Sequence, residues 1–228
     1  MPHSGKAMMA AVKLVLLSLG FVLLLILAGF VARTVGDAIL DIAGIIIGVW
    51  VLFAAFTFYF FRDPDANVPM GAHLVVSPGH GKIDEVENFN EAEFMGGPCQ
   101  RISMFLSVID IHVQNAPVGG HVRFFKYTTG QFLSAMKSES AIHNENCLIG
   151  FDSVETPGAK VGVRLIAGVL ARRIVPFVNI GDAVARGERI SLIQFGSRAD
   201  IYLPMSAKIK VKVGDRVVGG ETVIAVME

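Results

Sequence analysis

The sequence predicts an N-terminal transmembrane helical hairpin followed by a mainly β domain, and three observations predict it. Of its 228 residues, 53% are hydrophobic and the mean hydropathy is +0.57, more than a soluble domain carries. The excess sits in two runs, Leu14–Ala32 and Ile42–Phe61, each close to the ~20 residues that span a hydrocarbon core. From Arg62 onward, short alternating runs rich in Val, Gly and Pro take over, the pattern of strands and turns.

The first run carries one polar side chain, Ser18, and the second only Thr57 and Tyr59. A cleaved leader would have a shorter apolar stretch and a small-residue cleavage site after it. The short link Arg33–Asp41 returns the chain to its starting side. Residues 1–61 therefore read as an anchor with helices at about 14–32 and 42–61, and residues 62–228 as a separate domain large enough for one buried core. Lys6, Lys13 and Arg62 mark the returning side as the cytoplasmic face of the inner membrane. Trp50, Phe58, Tyr59, Phe60 and Phe61 read as an interfacial aromatic belt. Because 20 Lys and Arg balance 20 Asp and Glu, nothing in the charge recommends nucleic acid as a partner. Cys99 and Cys147 lack metal-ligand spacing and are expected as free, space-filling thiols. His73, His121 and His143 are scattered without ligand spacing, so no metal is expected.

Near the C-terminus Asn179–Ile190 is echoed by Lys212–Val223, both following Gly-Asp-x-Val-x-x-Gly before a Glu. In each copy Gly-Asp makes a turn, the Val enters the core and the next Gly turns the chain again. Two such hairpins resemble the barrel-sandwich hybrid of biotinyl and lipoyl domains, with swapped hairpins. Neither copy offers the hairpin-tip Lys that those domains modify. Between the copies lies Phe195-Gly196-Ser197-Arg198, flanked by apolar runs that read as two strands joined by a Gly-containing bend. A Gly-Ser bond in a strained bend is able to cut itself. The serine hydroxyl attacks the Gly196 carbonyl carbon, the amide becomes an ester, β-elimination frees the upstream chain, and hydrolysis of dehydroalanine leaves a pyruvoyl group and ammonia. Taken alone, the dipeptide reads first as an ordinary hairpin bend.

Along Arg101–Val113, the residues Ile102, Met104, Leu106, Val108, Asp110 and His112 share one face if the run is a strand. Asp110 and His112 then end an apolar row, where a carboxylate orients an imidazole for proton transfer. A strand end emerging into solvent is the plain alternative. Glu91, Glu93 and Phe94, ahead of Gly96-Gly97, are expected as a lid on the substrate side.

Several motifs occur in a fixed order: Phe61-Arg62-Asp63-Pro64, Val75-Val76-Ser77-Pro78, and Asp110-x-His112 with Ala116-Pro117-Val118-x-Gly120. After them come Asn144-Glu145-Asn146, Ala167-Gly168-x-x-Ala171-Arg172-Arg173, and Phe195-Gly196-Ser197-Arg198 with Asp200-x-Tyr202-Leu203-Pro204. Together, from about Leu14 to the C-terminus, they resemble the short, membrane-hairpin type of phosphatidylserine decarboxylase. The resemblance implies self-cleavage between Gly196 and Ser197 into a β chain, 1–196, and an α chain, 197–228, capped by pyruvoyl. It implies conversion of phosphatidylserine in the bilayer to phosphatidylethanolamine through a Schiff base to that group, which takes up the electrons left by carbon dioxide. His112 would donate the proton and Asp110 orient it, while Arg172 and Arg173 would meet the lipid phosphate. A homo-oligomer is compatible with all of this. The family has Ala-Asp-Gly after Val-Ser-Pro, its Asp serving self-cleavage; here Gly79-His80-Gly81 puts His80 in that place. An imidazole has no fixed negative charge, so processing is expected to be slower or more pH-dependent. Three alternatives stay open: an uncleaved precursor-like protein, a decarboxylase of another serine-headed lipid such as archaetidylserine, and a non-catalytic, membrane-anchored, lipoyl-like adaptor.

Overall fold

A computed structural model describes residues 5–31, 38–131, 143–168, 173–194 and 197–228. The chain divides into two compact units, Gly5–Asp63 and Pro64–Glu228. The first holds α1 (Lys6–Val31) and α2 (Ala38–Phe60), both long and apolar enough to cross a membrane. Each helix begins upstream of its apolar run, because Ala, Leu, Met and Lys favour helix beyond the stretch that hydrocarbon demands. Arg33 and Asp37 of the link lie outside the described residues.

Within this unit Trp50 Nε1 donates to Ser18 Oγ at 2.8 Å, and Ser18 Oγ donates to the Val15 carbonyl at 2.8 Å. Trp50 thus joins α2 to α1 from mid-helix and does not belong to an interfacial belt. Hydrocarbon gives an indole N–H no acceptor, so it takes the one hydroxyl on the facing helix.

The β unit has fourteen strands among the described residues. In chain order they are β1 (Leu74–Val76), β2 (Gly81–Glu91), β3 (Gly97–Leu106), β4 (Val113–Asn115), β5 (Gly120–Thr128), β6 (Asn146–Ser153) and β7 (Lys160–Ala167). There follow β8 (Arg173–Pro176), β9 (Ala183–Val184), β10 (Arg189–Gln194), β11 (Ser197–Leu203), β12 (Lys208–Ile209), β13 (Arg216–Val217) and β14 (Val223–Val226). They form an eight-stranded sheet, β13-β2-β3-β11-β7-β6-β5-β9, and two three-stranded sheets, β1-β14-β12 and β4-β10-β8.

This order is symmetric about the β11–β7 pair, and the symmetry is that of a duplication. One repeat consists of β1–β3 with β11–β14; the other, β4–β10, is inserted between β3 and β11. Equivalent hydrogen bonds recur in both. Val76 N donates to the Pro117 carbonyl at 2.9 Å and Asn115 N to the Pro78 carbonyl at 2.8 Å, while Gly220 N reaches Ser77 O and Gly187 N reaches Ala116 O, each at 2.8 Å. Both repeats carry a bulge at the same place, Asp84 in β2 and Arg123 in β5. The turns of the sequence echo match too: Asp182 Oδ2 accepts from Asn179 N at 2.7 Å and Asp215 Oδ2 from Lys212 N at 3.0 Å. Gly181 and Gly214 have φ of 97° and 100°, a left-handed conformation that glycine adopts without strain. Val184 and Val217, both buried, pair with Gly120 and Gly81 at opposite edges of the large sheet.

One face of that sheet holds the main core, including Ile83, Ile102, Met104, Leu106, Ile149, Val163, Leu165, Ala199 and Ile201. A smaller cluster of Phe94, Cys99, Leu148 and Tyr202 lies apart from it. All seven residues of β11 are buried, and strand alternation sends Ser197 with Ala199 and Ile201 to the core face and Arg198 with Asp200 and Tyr202 to the other. The expected lid is a fixed turn. The Glu91 carboxylate accepts from the N–H groups of Glu93, Phe94 and Met95 at 3.1, 2.8 and 2.8 Å. Phe94 is seated over Gly150, where a Cβ would lie 2.6 Å from its ring. This turn closes the end of β3 opposite Leu106, ~30 Å away at ~3.3 Å per residue.

Candidate functional site

β10 and β11 are consecutive in the chain but lie in different sheets. They do not pair with each other as a hairpin, and between them the chain passes from the inserted repeat back to the outer one. Phe195 and Gly196 lie outside the described residues. Ser197, the first residue after them, is fully buried, and its Oγ has no hydrogen-bond partner among the described residues. Buried hydroxyls are normally bonded, so an orphaned one asks for a chemical reason. Ser197 pairs with Leu106 at the end of β3 and with Ala167 at the end of β7. Asn144 fixes the latter, its Nδ2 donating to the Ala167 carbonyl at 2.7 Å.

The outward crossing, 107–112, leaves from the same place. The sequence suggested one strand running to His112, yet β3 ends at Leu106. Ser107 N and Oγ both donate to Asp110 Oδ2, at 2.9 and 2.8 Å, and Asp110 N donates to the Ser107 carbonyl at 2.9 Å. This local Ser/Asp turn competes successfully with the ladder. The other carboxylate oxygen takes Arg216 Nη2 at 2.7 Å. Burial alone would raise the Asp110 pKa, but the bonds from Arg216 and Ser107 outweigh it and hold the carboxyl below its usual range.

Asp110 consequently orients His112 through its backbone and not through its carboxylate. His112 is fully buried, and its Nδ1 lies 2.9 Å from the Asp110 carbonyl. A carbonyl only accepts, so Nδ1 carries the hydrogen and Nε2 is the basic nitrogen of the neutral ring. The His112 carbonyl accepts from Gln114 Nε2 at 2.7 Å and from Ile193 N at 3.0 Å, and Gln114 Oε1 accepts from Ser191 Oγ at 2.6 Å. Gln114 and Ser191 are supporting residues that the sequence reading missed. The signal was there in Gln114, a polar residue two places after His112.

His80, half-buried in the turn between β1 and β2, lies against Gly219. A Cβ on Gly219 would stand 3.0 Å from the His80 ring and 2.9 Å from Asn115 Oδ1, so this glycine makes room for both side chains. His80 is thereby gathered with Asn115, three residues after His112. Arg173 is exposed at the first position of β8, opposite Gln194, while Arg172 lies outside the described residues.

On the other face of β11, Arg198 is 2% exposed in its side chain and meets three carboxylates: Asp84 at 2.5 Å, Glu85 at 2.8 Å and Asp200 at 3.0 Å. Arg101 joins Glu85 at 2.9 Å and Glu87 at 2.5 Å. Burial pushes the Asp200 carboxyl up against the pull of Arg198. Sequence reasoning had given Asp84 no role.

A sequence model of the family described as phosphatidylserine decarboxylase matches residues 53–225. The chain belongs to that family. It is 42% identical over 176 residues to the phosphatidylserine decarboxylase proenzyme of Desulfotalea psychrophila, covering 77% of this chain and 81% of that protein. The proenzyme of Symbiobacterium thermophilum is 42% identical over 171 residues, covering 75% and 79% of the two chains. That of Carboxydothermus hydrogenoformans is 39% identical over 192 residues, covering 82% and 89%. Membership places the chain among decarboxylases, and a non-catalytic adaptor loses its support.

Proposed function

We propose that this chain decarboxylates phosphatidylserine to phosphatidylethanolamine at a pyruvoyl group formed from its own Ser197. The observation that carries the proposal is the buried, orphaned Ser197 hydroxyl at a sheet crossing, beside the crossing that holds His112. In maturation, Ser197 Oγ bonds to the Gly196 carbonyl carbon and the C–N bond breaks, leaving an ester and a free amine on residue 197. Loss of the residue-197 α proton and cleavage of the Cβ–O bond release residues 1–196 as a carboxylate. Water then displaces ammonia, so the net reaction consumes one water and frees one ammonia. His80, near Asn115, takes in this proposal the part of proton acceptor or hydroxyl-orienting group that the family draws from Asp.

The pyruvoyl carbonyl supplies an electron sink for the lipid's amine-bearing carbon. Around it, His112 holds a basic Nε2 in a fixed tautomer and returns a proton to that carbon after carbon dioxide leaves. Arg173, with Arg172, attracts the head-group phosphate. β11 pairs on both sides with strands of the larger chain, β3 and β7, which holds the two chains together after the cut. The helical hairpin anchors the domain where its lipid lies, on the cytoplasmic side of the inner membrane.

Intact mass of protein extracted from membranes tests the proposal. Fragments 1–196 and 197–228 are expected, the smaller lighter by one ammonia than a simple hydrolysis product, and Ser197→Ala abolishes the split. His80→Asp is expected to cleave faster and with a flatter pH profile. A single uncut chain from the parent refutes the proposal, and lipid mass spectrometry of products separates phosphatidylserine from other serine-headed lipids.

A further inference from the structure

Cutting the backbone before Ser197 turns an interior point of the chain into a strand end, and strand ends fray. Residue 197 must nonetheless stay in register for chemistry. The first side chain beyond the cut is Arg198, whose guanidinium reaches across β3 to the carboxylates of Asp84 and Glu85 on β2 and back to Asp200 on its own strand. Two adjacent residues of a regular strand would point to opposite faces. Here the bulge at Asp84 resets the alternation: Ile83 and Val86 pack with the core, while Asp84 and Glu85 both face Arg198. Bulges re-aim side chains in this way beside active sites.

The duplication supplies an internal comparison. At the equivalent bulge of the inserted repeat stands Arg123, paired with Asp152 at 3.3 Å in the open, and the place of Arg198 on β7 is taken by Lys160. The buried arginine with two bulge carboxylates exists in the repeat whose strand begins at Ser197 and not in the other. A buried ion pair contributes little stability that apolar packing would not, so its worth is in fixing a position.

Resting on the self-cleavage proposed above, we infer that Arg198, held by Asp84, Glu85 and Asp200, is the positioning residue that clamps the newly made end of the short chain in register on β3 and β7. Amide hydrogen exchange and turnover of the full-length protein in detergent test this, using Arg198→Gln and the milder Asp84→Asn, each also placed in an uncut Ser197→Ala chain. In the cut protein, Arg198→Gln is expected to speed exchange at 198–200 by about tenfold and to lower kcat by about tenfold at unchanged KM, with Asp84→Asn giving about threefold. In the uncut chain the same substitutions change exchange by less than about twofold. Equal acceleration in cut and uncut chains marks a merely structural ion pair and overturns the inference. Parental exchange and kcat in the cut variants overturn it as well. Should Arg198→Gln not accumulate folded, Asp84→Asn decides by the same criteria. A parent that never splits is a different failure, which removes self-cleavage and this clamp with it.

Discussion

At the scale of single residues, the link between Asp110 and His112 decides what a mutation should do. Were the carboxylate bonded to the imidazole, its amide variant would favour the wrong tautomer, a change that costs about 10⁴-fold in a serine-protease triad. The Asp110 carboxylate is instead engaged with Ser107 and Arg216, and the tautomer is set by a backbone carbonyl that substitution leaves in place. Asp110→Asn keeps one side-chain oxygen for Ser107 and loses the charge-assisted bond to Arg216, because the amide nitrogen that replaces Oδ1 donates and does not accept. Decarboxylation by the matured Asp110→Asn protein is therefore expected to fall by less than about tenfold, against about 10²-fold or more for His112→Ala. Carbon dioxide release measured on equal amounts of cleaved enzyme checks this, and equal losses in both variants would restore the carboxylate dyad. The acid side follows from the depressed Asp110 pKa. Its contribution to the 107–112 turn is complete above the unfolded carboxylate value of about 3.9 and is lost as pH falls through the lower folded value.

Among the elements, the anchor shows both what sequence reveals and what it hides. Two runs of lipid-compatible residues were legible as helices because hydrocarbon imposes length and composition together. Trp50 was misassigned because the seven aromatic residues within Trp50–Phe61 look alike in composition, while only geometry shows that the indole meets Ser18. β3 hid its end for a similar reason. Alternation continues through Val108, Asp110 and His112 on paper, but a side-chain bond three residues long breaks it. The Ser18–Trp50 bond predicts a measurable coupling. Ser18→Ala, Trp50→Phe and the double variant, compared by reversible unfolding of the anchor in detergent, are expected to give an interaction free energy of about 0.6 kcal/mol, the mean for bonds between membrane helices. Additive effects would mean that the hydroxyl and indole do not meet in the membrane.

For the whole molecule, inserting one repeat into another explains why chemistry gathers where it does. An insertion leaves and re-enters its host at one place, here the paired ends of β3 and β11, so its two crossings are neighbours however far apart they are in sequence. His112 lies on the first and Ser197 follows the second. The echo between Asn179–Ile190 and Lys212–Val223 was the readable tail of this duplication; elsewhere packing keeps the geometry while residues diverge, as Asp84 and Arg123 do at matching bulges. Among the described residues the ladder of β10 stops at Gln194 and that of β11 begins at Ser197, so a cut before Ser197 leaves both in place and the fold should not notice it. The two free cysteines report on this, Cys99 from β3 of the outer repeat and Cys147 from β6 of the inserted one, both fully buried. Burial raises the Cys99 thiol and pushes Cys147 up to about 12, so neither is a ready thiolate. Iodoacetamide at about pH 8 is expected to leave both unlabelled in the cut protein and in uncut Ser197→Ala alike, and to label both in denaturant. Cys99 sits beside Tyr202 of the short chain, so labelling of Cys99 alone in the cut form would show that cleavage loosens β11 and that the outer repeat depends on an unbroken crossing.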